Sequence, residues 1–190
     1  MKTRESGMPE EELWDSFFHP ADTLQKLDMR PELDAVAEFG CGYGTFTIPA
    51  ATIVSGPVHA FDIEPDMIAT TKEKAQRLGL GNVRTQLRDF IEEGTGLPDD
   101  SIDYAMLFQI LHLEDPGRLL TEAFRILRPG GLLGIMHWNV DSDTPRGPPI
   151  AMRPTPEDCA AWSRAAGFRI VHPHIDLPPY HYGLLVQKDE

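Results

Sequence analysis

The sequence predicts an α/β protein: a mostly parallel sheet with helices on both of its faces. Short apolar runs alternate with longer amphipathic stretches along most of the chain, the pattern of strand–helix–strand units. The first of these runs ends in clustered glycines and the second ends on an aspartate. Near the end of the chain, two further runs flank a short Pro-rich turn, which suits an antiparallel pair.

Taken in order, residues 34–39 (DAVAEF) form a brief apolar run that suits a buried strand. Residues 45–54 follow as a helix, with Pro49 held in its first turn or kinking it. Residues 57–62 (PVHAFD) are the second strand. The helix at 65–78 has Pro65 at its start, an apolar face of Met67, Ile68, Ala75 and Leu78, and Gly79 as its stop. Residues 82–87 make a third, more polar strand, and 101–108 (SIDYAMLF) a fourth. Leu119, Leu120, Ala123, Phe124 and Leu127 recur at helical spacing within 116–127. The turn Arg128-Pro129-Gly130-Gly131 then leads into a fifth strand at 132–138. Residues 139–154 are polar and rich in Pro and Gly, the composition of a loop over a functional edge. A last helix spans 156–166 and is closed by Gly167. Two final strands are expected at 168–175 and 180–187. The first thirty residues, with Leu13, Trp14, Phe17, Phe18, Leu24 and Leu27, are expected to form a helix capping one edge of the sheet. The whole chain, residues 1–190, is expected to be a single domain.

Composition narrows the partners. Hydrophobic residues make up 41% and charged residues 25%, as in an ordinary globular protein. No apolar run approaches the ~20 residues that cross a bilayer, and the opening segment MKTRESGMPEEELWDSFF has no signal-type apolar core. Neither a membrane partner nor export is expected, and the expected location is cytoplasmic. The two cysteines, Cys41 and Cys159, lie far apart, and no histidine or cysteine spacing suggests a metal. A net charge of −13, with 17 scattered Lys and Arg, disfavours nucleic acid as a partner.

The segment Glu38-Phe39-Gly40-Cys41-Gly42-Tyr43-Gly44 follows a strand and opens a helix. Glycines there let the main chain approach a ligand closely. Asp62, at the end of the next strand, stands where doubly wound folds hold ribose hydroxyls. A dinucleotide fingerprint would read G-x-G-x-x-G, but the sixth position here is Thr45. Glu38 beside the loop suits a cationic ligand end better than a pyrophosphate.

With these residues in view, the chain resembles the class I S-adenosylmethionine-dependent methyltransferases, in particular their small type 11-like members. VAEFGCGYGTFT, HAFDIEPDMI, RDF at 88–90, LPDDSIDYAMLFQILHLEDP and FRILRPGGLLGI match five regions of that family in order. The resemblance implies a Rossmann-like sheet of seven strands with the last antiparallel, and S-adenosylmethionine as cofactor, leaving as S-adenosylhomocysteine. It also implies roles. Gly40, Cys41, Gly42 and Gly44 would pass the methionine portion, with Glu38 toward its ammonium. Asp62 would hold the ribose, with Ile63 and Met67 against the adenine. Asp89 would accept from the adenine amino group, with Phe90 close by. Phe108 and Gln109 would lie near the amino acid end or the methyl group.

For the acceptor, a small molecule is expected, enclosed by the 139–155 loop with Arg146 and Arg153. His112 and His137 are each expected just past a strand at the ligand edge, where either could take a proton. Tyr43 is a third candidate. Pro178-Pro179-Tyr180 resembles an amino-methylation motif, but it falls in the turn between the last two strands and reads as structural. Two rivals remain, a nicotinamide-dependent oxidoreductase and a non-catalytic S-adenosylmethionine-binding module.

Overall fold

A computed structural model describes residues 9–113, 115–140 and 144–189. Its sheet contains seven strands: β1 (Val36–Phe39), β2 (Val58–Asp62), β3 (Val83–Leu87), β4 (Ile102–Phe108), β5 (Leu127–Trp138), β6 (Phe168–Leu177) and β7 (His181–Lys188). Their order across the sheet is β3-β2-β1-β4-β5-β7-β6. The β1 to β5 pairings are parallel, and β7 runs antiparallel to both β5 and β6. The order reverses between β1 and β4, the crevice in which open α/β sheets hold ligands. This is the doubly wound, Rossmann-like arrangement that the alternation predicts.

Among the described residues six α-helices surround the sheet: α1 (Glu11–Asp15), α2 (Pro20–Lys26), α3 (Thr47–Ile53), α4 (Pro65–Arg77), α5 (Pro116–Ile126) and α6 (Pro156–Ala165). Local chemistry sets their starts. Proline opens α2, α4, α5 and α6, where its missing N–H costs nothing. The Asp115 carboxylate accepts from the Arg118 N–H, and Thr155 with Asp158 forms a reciprocal capping box. Pro49 lies in the first turn of α3 and leaves it intact.

Period-2 alternation divides the strands between two cores. Ala37, Phe39, Ala105, Leu107, Leu133 and Ile135 face one, which α5 and α6 cover through Leu119, Leu120, Ala123, Cys159 and Ala160. Val36, Val58, Tyr104, Met106, Met136 and Trp138 face the other, shared with α2 and α3.

Two expectations need correction. The N-terminal segment folds as two short helices rather than one, and it lies on the face of the sheet instead of capping an edge. Phe17, Phe18, Leu24 and Leu27 are buried in the second core, and the Tyr104 hydroxyl of central strand β4 donates to the Leu27 carbonyl at 2.6 Å. Aromatic and leucine side chains exclude more water on the broad face than an edge could offer. Residues 128–131, expected as a turn before the strand, interrupt β5 from within. Leu127 pairs with Ile102 and the ladder resumes at Leu132 opposite Tyr104, so the four residues between bulge outward.

Candidate active site

A cavity of about 680 Å³ opens at the carboxyl ends of the parallel strands, within the range of small-molecule sites. The glycine loop after β1 forms its floor with Glu38, Gly40, Cys41, Gly42, Thr45 and Phe46. Asp62, Ile63 and Glu64 follow β2, and residues 88–91 follow β3. Phe108, Gln109, Ile110, His112 and Leu113 follow β4, while Trp138, residues 145–149 and Met152 supply the far wall. Pro9 and Trp14 reach it from the N-terminal segment.

Hydrogen bonds hold the loop in shape. The Gly42 N–H donates to Asp62 Oδ2 at 2.8 Å and the Glu64 N–H to Oδ1 at 3.0 Å, so the carboxylate is aimed before any ligand arrives. Thr71 donates to the Gly42 carbonyl at 2.9 Å. Gly44 has φ +78°, and a Cβ there would stand 2.9 Å from Thr71 Oγ1, so glycine is required on both counts. Burial raises the Asp62 carboxyl above its usual range, against the lowering effect of the N–H groups it accepts from.

Glu38 is the most perturbed acid of the site. It projects from β1 on the face it shares with Val36, is 2% exposed, and accepts a hydrogen bond from the Thr47 hydroxyl of α3. Burial, with a smaller contribution from Asp62, pushes its carboxyl up to about 8 despite that bond. A positive charge placed beside such a buried acid favours its ionised form. The Thr45 hydroxyl meanwhile donates to Asp15 Oδ1 at 2.7 Å. Carboxyl groups thus stand at the start of α3, where a dinucleotide would put its pyrophosphate.

Gln109 adds a polar group without a partner. It has φ +59°, rare outside glycine, and both its side-chain amide atoms are buried with no hydrogen bond among the described residues. An orphaned buried amide costs about 1–3 kcal/mol, and a bound ligand would relieve it. Its strained backbone, beside the ligand crevice, fits a functional position.

Most sequence-expected cofactor residues converge here: Glu38, Gly40, Cys41, Gly42, Asp62, Ile63, Asp89, Phe90, Phe108 and Gln109 all line the cavity. Gly44 and Met67 lie outside its lining and support the loop and α4 from behind. Burial, together with Glu38 and Asp62, raises the Cys41 thiol well above its ordinary range, which disqualifies it as a nucleophile.

The acceptor-side expectations divide. His112 lines the cavity. His137 is inside β5, not beyond it, is fully buried, and touches His112 from beneath, Nε2 to Nδ1 at 3.3 Å. Burial, then the neighbouring His112, His181 and Arg153, depress it well below the histidine range. Tyr43 is not among the lining residues, and its hydroxyl is engaged by the carbonyl of Pro9, donating at 2.9 Å. Burial and the carboxylates of Glu10, Glu11 and Glu64 raise its phenol, the wrong direction for a base.

Arg146 lines the cavity as expected. Arg153 instead knits the 139–155 loop, donating to the carbonyls of Pro148 and Asn139 and to Thr144 Oγ1 at 2.9, 2.8 and 2.7 Å. Its guanidinium lies 5.8 Å from the Trp138 ring centre. Residues 141–143 of that loop lie outside the described residues. The sequence alone did not point to Thr47 or Trp138. Thr47 closes the 36–47 segment, but its contact with Glu38, nine positions earlier, has no local signal, and Trp138 is a strand-end aromatic whose exposure depends on what covers it.

Sheet order, glycine loop and acidic strand ends together define a class I methyltransferase fold. Residues 36–131 match the family model described as "Methyltransferase domain", and the chain belongs to that family, the S-adenosylmethionine-dependent methyltransferases. It is similar to the aklanonic acid methyltransferase of Streptomyces sp. (strain C5), 35% identical over 101 residues, covering 52% of this chain and 45% of that protein. It is also similar to ribosomal RNA-processing protein 8 of Rattus norvegicus, 33% identical over 119 residues, covering 62% of this chain and 21% of that protein. The chain therefore spans less than half the length of these curated relatives. Among solved structures, an S-adenosylmethionine-dependent methyltransferase from Aquifex aeolicus superposes with a TM-score of 0.81 at 23% identity, covering 94% of this chain and 93% of that one. No helix among the described residues is long and apolar enough to cross a membrane.

Proposed function

We propose that this protein transfers the methyl group of S-adenosylmethionine to a small-molecule acceptor. One observation carries the reading: a single cavity joins the acidic, glycine-lined floor to an apolar end built by Phe46, Phe108, Trp138, Pro148 and Met152. A net charge of −13 and the enclosure by Pro9 and Trp14 favour a small acceptor over a polyanion.

The residues fit the cofactor. Gly40 and Gly42 leave room for the methionine portion, and Glu38 with the Gln109 amide would meet its charged amino acid end. Asp62 would hold the ribose hydroxyls, and Asp89, Ile63 and Phe90 the adenine. When bound, the cofactor supplies an already activated methyl on a sulfonium. The protein's share is then alignment and exclusion of water, effects worth about 7–11 kcal/mol in well-oriented systems. The aromatic wall and the 145–149 segment would seat the acceptor and keep water out.

Thermal unfolding tests the reading. S-adenosylmethionine and S-adenosylhomocysteine are expected to raise Tm by mass action, and NAD(H) and NADP(H) to leave it unchanged. A shift with a nicotinamide cofactor and none with the sulfonium pair would overturn it. Release of S-adenosylhomocysteine across a panel of phenols, amines, thiols and carbon acids then identifies the acceptor, with ribosomal RNA as the macromolecular control.

A further inference from the structure

We infer that His137 is a positioning residue that fixes the tautomer of His112, so that His112 meets the acceptor as a hydrogen-bond donor and not as a general base. The inference deepens the proposed function and rests on it for the word acceptor, but not for the hydrogen-bond chain that carries it.

That chain starts at the backbone. The Trp138 N–H donates to His137 Nδ1 at 3.0 Å, so this nitrogen presents a lone pair and carries no proton. His137 is wholly buried and neutral, and its one ring proton therefore sits on Nε2. That nitrogen is 3.3 Å from His112 Nδ1. The contact can be a hydrogen bond only with His137 donating and His112 accepting. Whenever His112 is neutral, its proton consequently lies on Nε2, away from His137.

The consequence is chemical. The lone pair with which His112 could take a proton points at His137, and a base needs its lone pair aimed at the acceptor. Protonating His112 at Nδ1 would set two N–H groups against each other beneath the cavity. Burial and the cationic Arg153 oppose any charge on His137, and the neighbouring His181, buried and depressed to about 3, brings no compensating anion. His112 instead offers an N–H, which orients an acceptor oxygen and stabilises it when anionic. The acceptor class this favours is an oxygen nucleophile acidic enough to arrive ionised. Its oxygen forms the bond to the methyl carbon, the carbon–sulfur bond breaks with its electron pair going to sulfur, and no proton passes to His112.

Long-range proton–nitrogen NMR on the ¹⁵N-histidine-labelled protein at pH 7.5 tests this, with His112→Gln for assignment. His112 and His137 should both carry their proton on Nε2. A proton on His112 Nδ1 in the wild-type protein would overturn the inference. His137→Gln, whose amide can still donate to His112, should keep the Nε2–H form. His137→Leu should let His112 exchange between tautomers, and an unchanged tautomer in folded His137→Leu would equally overturn it. If that variant fails to fold, the wild-type tautomer still decides. Calorimetry with S-adenosylhomocysteine on the wild-type sample separates the two readings. No binding with the expected tautomer would sink the proposed function and leave the histidine assignment intact, and binding with an Nδ1–H His112 would do the reverse.

Discussion

Replacing Glu38 by Gln should change the pH dependence of stability in a defined window. The Glu38 carboxyl is buried and pushed up to about 8 in the folded protein, against 4.5 for the unperturbed group. Between these values the native state binds more protons than the unfolded chain. Stability from this group is therefore complete below about pH 4.5 and is lost as pH rises toward 8. The slope approaches about 1.4 kcal/mol per pH unit. Between pH 6 and pH 8 the loss comes to about 2 kcal/mol. Glutamine keeps the size, still accepts from the Thr47 hydroxyl, and does not titrate. Asp62, also raised by burial, is common to both proteins and largely cancels in the difference. Urea unfolding of both proteins at pH 6, 7 and 8 measures the effect: Glu38→Gln should gain about 2 kcal/mol relative to wild type across the series. Parallel curves would mean that Glu38 is already ionised in the free protein, and the argument from desolvation would fail. The same variant should bind S-adenosylmethionine more weakly, because the cofactor's cation would have stabilised the carboxylate.

Asp62→Ala should weaken S-adenosylhomocysteine binding by about 1–3 kcal/mol through lost hydrogen bonds to charged oxygen, measured calorimetrically on a variant that still folds. Unchanged affinity in the folded variant would reduce Asp62 to a brace for the Gly42 and Glu64 N–H groups. His181, stacked on Phe18 at 4.7 Å and depressed to about 3 by burial, contributes stability that is present above pH 6.5 and lost as pH falls toward 3. His181→Phe should move the acid-unfolding midpoint to lower pH in a circular-dichroism titration, and an unmoved midpoint would show that His181 is not part of that transition.

Local signals in the chain determined most of the architecture and much of the cavity's lining at the glycine loop. Apolar runs and helical periodicity placed the strands and helices within a few residues, because each depends on neighbours only two to four positions away. Glycines between β1 and α3, and the carboxylate closing β2, marked the crevice for the same reason: a strand end and the turn after it are contiguous in sequence; Asp89 after β3 came only from the family resemblance. Tertiary structure alone decided which of the three candidate residues lines the cavity. Tyr43 differs from Gly42 by one position, yet its ring turns to Pro9. The sequence already ended the fifth strand at Trp138, but only the packing around β5 buries His137 beneath His112. The raised pKa of Glu38 likewise required α3 to dock Thr47 against β1 and exclude water. Burial, tautomer and pKa depend on which distant segments share a dry volume, and local periodicity carries no information about that.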